Sequence, residues 1–306
     1  MIGVIGVIKI LKTKKRAVRV LATLFALFVN TVLARTVFAN TTATPTASPA
    51  TPVSVTTNRV NPVTTQAKRW LADFRYTTRA SSTEFSDPRQ NAAMDFEMFA
   101  LWRLTPKLRI DGYTAWTKGI NGLRETDMQN TSFRLDQTPF KLGRHFLTRS
   151  RVGVILPTNG IERTEQKYLG SASFDQRLLF SAPFLRGLSG FYAVSAVKNF
   201  HQFNTTFEGD PLISFAVGQR LLLNYEFIPG FYVEASPRVS QRWDYQGTPS
   251  ATFGLYQEIG WSNGMITVSL GHNNEGLLFR ENGKDLNLSF DDPNNANYYL
   301  TLGLTL

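Results

Sequence analysis

Cysteine is absent from this 306-residue chain, which excludes a disulfide framework and a thiolate metal site. Histidine is scarce, with only His145, His201 and His272, so a general acid–base centre has few residues to draw on. Asp and Glu are missing from residues 1–39. Beyond residue 39 no apolar run approaches the roughly eighteen residues that mark a membrane-spanning helix.

The acid-free stretch explains most of the basic balance. Lys9, Lys12, Lys14, Lys15, Arg16, Arg19 and Arg35 contribute seven of the net +10 charges, so the remainder carries 10 − 7 = +3. A charge that small gives no reason to expect nucleic acid as a partner. The apolar run Val20 to Val29 follows the basic cluster, and Val37-Phe38-Ala39 presents small residues where a signal peptidase reads. An apolar run of about ten residues is too short to span a bilayer but suits the core of a signal peptide, so residues 1–39 read as an export signal cleaved after Ala39, with Ala34 as the alternative site. Residues 40–67 are dominated by Thr, Pro, Ala, Ser and Val, with Arg59 as the one charge. They bury too little apolar surface to offset ordering entropy and read as a flexible periplasmic tether.

From residue 68 to 306 the pattern changes to alternating segments of about ten residues, the length that a tilted barrel strand needs to cross a membrane. In Arg69 to Arg79, Trp70, Ala72, Phe74 and Tyr76 oppose Arg69, Asp73 and Arg75. In Met94 to Leu104, Phe96, Met98 and Trp102 oppose Asp95, Glu97 and Arg103, and in Leu108 to Thr117, Ile110 and Trp116 oppose Arg109 and Asp111. Charge stays on one face, as lipid outside and a polar lumen inside require.

Turn chemistry sets the register. Leu104-Thr105-Pro106-Lys107-Leu108 and Phe227-Ile228-Pro229-Gly230-Phe231 read as three-residue turns that pair the flanking apolar residues outward. Trp261-Ser262-Asn263-Gly264-Met265 reads as an Asn-Gly turn pairing Ser262 with Met265. Tight connections fall at about 105–107, 137–141, 228–230 and 262–264, with an intermediate one near 182–189. Longer polar ones fall at about 80–91, 118–128, 157–166, 201–209, 244–249 and 272–296. Short turns alternating with long loops predict an all-β, antiparallel up-and-down transmembrane barrel of about twelve strands, with ten and fourteen as the neighbouring counts. Trp70, Trp102, Phe140, Phe227, Phe231 and Trp261 gather near the short-turn ends, where an aromatic girdle belongs.

The final residues, Tyr298 to Leu306, alternate without interruption: Tyr298, Leu300, Leu302, Leu304 and Leu306 against Tyr299, Thr301, Gly303 and Thr305. This segment resembles the closing strand of bacterial outer-membrane β-barrels, with Leu306 where that class carries an aromatic residue. The resemblance implies a bacterial outer-membrane location after export across the inner membrane, contact with membrane lipid and lipopolysaccharide, and recognition of Tyr298 to Leu306 by the barrel-assembly machinery. The stretch Arg151 to Gly160 is similar to a strand-to-loop segment of outer-membrane transporter-like barrels.

The polar faces predict a lumen lined by Arg75, Asp95, Glu97, Arg103, Arg109, Asp111, Arg149, Arg151, Arg177, Arg220, Glu234, Arg238, Arg242 and Glu258. Arginine suits bidentate pairing with carboxylates and phosphates. Two uses fit: cross-strand ion pairs that stiffen a narrow barrel, such as Arg220 with Glu234, and a charged pore that draws anionic solutes. Arg149, Arg151, Arg238 and Arg242 are the expected unbalanced basic patch, because their own strands carry few inward acids. The expected function is a passive channel for small hydrophilic solutes, anionic ones among them, with no cofactor, metal or catalytic residue. The alternatives are a non-conducting structural, adhesin or receptor barrel and, less favoured, a lipid-modifying hydrolase using His272 with Ser269 and Asn273.

Overall fold

The computed structural model describes residues 69–81, 92–120, 126–182, 185–278 and 296–306. The predicted signal segment, the tether and most of the 272–296 loop lie outside them. The described residues form twelve spans: β1 (Trp70–Ser81), β2 (Ala92–Thr105), β3 (Leu108–Gly119), β4 in three pieces (Thr126–Met128, Thr131–Gln137, Phe140–Lys141), β5 (Phe146–Leu156), β6 (Tyr168–Ser181), β7 (Leu188–His201), β8 (Ile213–Ile228), β9 (Phe231–Asp244), β10 (Pro249–Ser262), β11 (Ile266–Leu277) and β12 (Ala296–Thr305). Each is antiparallel to the next, and β12 pairs with β1 from Asp73↔Thr305 to Ser81↔Asn297. The sheet is therefore a closed barrel, which leaves no edge strand unpaired.

The faces follow the alternation in the sequence. Phe74, Phe96, Val152, Phe174, Ile259 and Leu302 are exposed on the outside, while Asp95, Asp111, Asp136, Arg149 and Glu234 are buried on the inside. Exposed apolar side chains on every strand form a belt far larger than a water-facing surface carries, and they belong against lipid. Trp70 faces Trp102, and Phe231 faces Trp261, at the short-turn end.

Two of the three turns keep the expected strand register, Arg103↔Arg109 and Glu226↔Tyr232, with a changed turn end, and the third shifts the register by two residues without changing the strand faces. At 105–108 and 228–231 the turn is two residues, Pro106-Lys107 and Pro229-Gly230, followed by a bulge that absorbs Leu104 and Phe227. The bulge lets Phe227 and Phe231 both point outward, with ring centroids 6.4 Å apart. At the third, Asn263 N–H donates to Ile266 O and Gly264 has φ +91°, so the turn is Gly264-Met265 and Ser262 pairs with Thr267. Glycine is in the first central position that a type II′ turn demands. The connection expected at 137–141 is also displaced. Phe140–Lys141 still pairs with β5, which leaves 142–145 as the turn.

The short connections and both ends of the barrel chain share one end. The opposite end carries the described links 157–167, 202–212 and 245–248, the first with a one-turn helix α1 (Gly160–Thr164) at the end of the Arg151 to Gly160 segment. By the rule for outer-membrane barrels, the short-turn end is periplasmic.

Candidate functional site: the barrel lumen

Strand register arranges the inward side chains in rows, because residues paired across neighbouring strands share a face. One row runs Arg103↔Arg109↔Asp136↔Arg151↔Asp175. The next, nearer the short-turn end of β5 to β8, runs Arg149↔Arg177↔Ala193↔Arg220↔Arg238. The third runs Leu147↔Leu179↔Phe191↔Leu222.

Acids contributed by neighbouring strands neutralise much of the arginine charge. Asp136, with no exposed surface, accepts from Arg109 Nε at 2.6 Å and from Arg149 Nε at 2.5 Å. Asp175 accepts from Arg151 Nε at 3.0 Å and Arg177 Nε at 2.8 Å. Arg134 bonds Asp111 at 2.7 Å, Arg79 lies 2.9 Å from Asp95, and Arg238 bonds Glu275. The expectation that Arg149, Arg151 and Arg238 are unbalanced is thus corrected: their partners come from β4, β6 and β11. Arg242 and Arg103 alone of the predicted lumen arginines, together with Arg220, make no ion pair to a described residue.

The expected Arg220–Glu234 pair is likewise replaced. Register sets Arg220 opposite Arg238, and Arg220 Nε donates to Ser236 Oγ at 2.7 Å. Glu234 instead accepts from Asn224 Nδ2 at 3.3 Å and lies directly across from Glu258. Glu258 accepts from Tyr232 OH at 2.6 Å and Tyr299 OH at 3.3 Å. Arg75 bonds Asp73 at 3.0 Å and is in register with Glu97. The lumen therefore has chemically different walls: an arginine-rich one on β5 to β9, one of carboxylates and tyrosines on β9 to β12, and a mixed one on β1 to β2 where Arg75 and Arg79 are paired with Asp73 and Asp95.

Several of these residues escaped the sequence reading. Arg79 continues the inward parity of Arg75 and was legible in principle. Glu275 was hidden because β11 runs to Leu277, past the residue where a loop was expected. Phe191 is an apolar residue on a face expected to be polar, so alternation alone gave no reason to notice it.

The histidine constellation is not assembled. Ser269 pairs with Gly260 on the inner face, whereas His272 points outward against Tyr298, with centroids 4.9 Å apart. His145 lies in the 142–145 turn, and His201 shares a hydrogen bond of 3.2 Å with Tyr245 OH at the opposite end of the barrel.

The same architecture is found among solved outer-membrane proteins. An outer membrane channel from Pseudomonas putida F1 superposes with a TM-score of 0.56 over 81% of this chain and 100% of its own, at 9% identity. The NanC porin gives a TM-score of 0.49 over 76% and 98%, at 12% identity. No protein-family model matches the chain, and no curated protein matches its sequence. The likeness to the first is one of fold, and it defines the architecture: the described residues form a closed barrel of twelve antiparallel strands, the fold of outer-membrane β-barrels.

Proposed function

We propose that the barrel is a passive outer-membrane channel for small hydrophilic solutes, with anionic solutes favoured. The observation that carries this reading is the row Arg149–Arg177–Arg220–Arg238, four guanidinium groups on consecutive strands interrupted only by Ala193. Arg220 and the neighbouring Arg242 make no ion pair to a described residue, so the wall keeps a surplus of positive charge, which concentrates anions in a low-dielectric passage. The fold shared with a solved outer membrane channel supports the same reading.

A second reading, a non-conducting structural or receptor barrel, is favoured by the burial of Asp111, Asp136 and Arg151, which marks part of the lumen as packed ion pairs. Export through residues 1–39, lipopolysaccharide around the apolar belt and assembly through Tyr298 to Leu306 complete the proposal. Reversal potential of refolded residues 40–306 in a planar bilayer under a salt gradient tests it. Anion preference that falls in the Arg220→Ser, Arg242→Ser double variant is the expected result. Cation preference overturns the anionic reading, and silence from a folded barrel favours the non-conducting one.

A further inference from the structure

Phe191 is the largest fully buried side chain among the described residues, 1% exposed, and it points into the lumen with Arg177 and Arg220. In a water-filled passage that position belongs to a polar residue. Its burial comes from register: Leu147, Leu179, Phe191 and Leu222 stand opposite one another on β5, β6, β7 and β8 and pack as one cluster with Ala193. Leu147, Leu179 and Phe191 lie within four residues of the short-turn ends of β5, β6 and β7, and Leu222 nearer the middle of the longer β8, so the row is a ledge projecting inward from a third of the wall.

The ledge is tied to the arginine row above it. Ala193, two residues along β7, lies between Arg177 and Arg220, and its small side chain leaves both free to lean onto the same ring. Arg177 Cζ lies 4.6 Å from the Phe191 centroid and Arg220 Cζ 5.5 Å. Both distances are within the range where the ring face attracts a guanidinium. The second anchor differs between the two: Asp175 at 2.8 Å for Arg177 and Ser236 at 2.7 Å for Arg220.

We infer that the Leu147–Leu179–Phe191–Leu222 ledge is the constriction of the channel, and that it sets Arg177 and Arg220 at its lip, so that a solute is held to the opposite wall at its narrowest point and passes the two guanidinium groups there. This rests on the channel reading above. An apolar ledge narrows a pore by volume and by excluding water, while the arginines fixed on it select by charge.

The absence of cysteine allows a clean test. Unitary conductance and reversal potential of the full exported chain are compared with those of Phe191→Ala, Leu222→Ala and Phe191→Cys, each checked for folding by heat-modifiable gel mobility. Phe191→Ala is expected to raise unitary conductance about twofold and to weaken charge selectivity. Leu222→Ala, which lacks the cation contacts, should raise conductance with selectivity kept. Attachment of a bulky thiol reagent to Phe191→Cys should then cut the current. If the parent chain conducts and both alanine variants conduct equally, the constriction is elsewhere and the inference fails while the channel reading stands. If the parent is silent and Phe191→Ala conducts, the ledge is a plug, which supports the inference and overturns the open channel. Silence in all folded variants overturns both.

Discussion

Tyr299 lies flat across Gly271: the two are paired between β12 and β11, and the tyrosine ring fills the space that a side chain at 271 would need. Tyr232 does the same over Gly260 on the neighbouring strand pair. Both hydroxyls reach Glu258, which is itself in register with Gly271. Two glycines thus let two aromatic rings lie against the wall and clamp one carboxylate between them.

Gly271→Ala is expected to lower stability by about 1–3 kcal/mol, because the ring must leave its seat and Glu258 loses a donor. Gly143, where an added methyl group would meet open space, is the control and should tolerate alanine. Urea unfolding of barrels refolded in vesicles measures both.

Asp136→Asn should cost about 3–5 kcal/mol, since one fully buried carboxylate holds both Arg109 and Arg149 and its loss leaves two guanidinium groups without their counter-charge. A lowered temperature for the heat-modifiable gel shift is the expected readout. An unchanged shift would show that water reaches these arginines.

Arg149→Ser and Arg220→Ser should separate stability from selectivity. Arg149 is bound to a buried acid, so its loss destabilises the barrel. Arg220 is held by a serine hydroxyl and makes no ion pair to a described residue, so its loss should shift the reversal potential with a smaller change in unfolding midpoint.

Leu300 points outward near the middle of β12 and is 46% exposed. Leu300→Arg should cost about 2–4 kcal/mol in vesicles, as a charge at the bilayer midplane does. Phe207→Arg should be nearly neutral, because Phe207 lies in the 202–212 connection and is 72% exposed. Equal effects would mean that the belt does not face hydrocarbon.

The sequence by itself determined the barrel, because a period of two leaves each residue one choice of face, and alternating short and long connections bring the crossings to about twelve, with ten and fourteen as the neighbouring counts. Trp70, Phe227 and Trp261 could be placed outward, and Arg149 and Arg220 inward, from parity alone. Even where turn positions were displaced by a bulge at Leu104 or a glycine at Gly264, the faces survived, since those displacements preserve parity. Only the tertiary structure decided which inward residues meet. Asp136 on β4 reaches Arg109 on β3 and Arg149 on β5, because contacts between strands joined by irregular connections depend on their stagger. That stagger is set by bulges and barrel closure, and no single strand records it. The same stagger brings Leu147, Leu179, Phe191 and Leu222 into one row, four apolar residues from four separate strands that only the closed barrel joins.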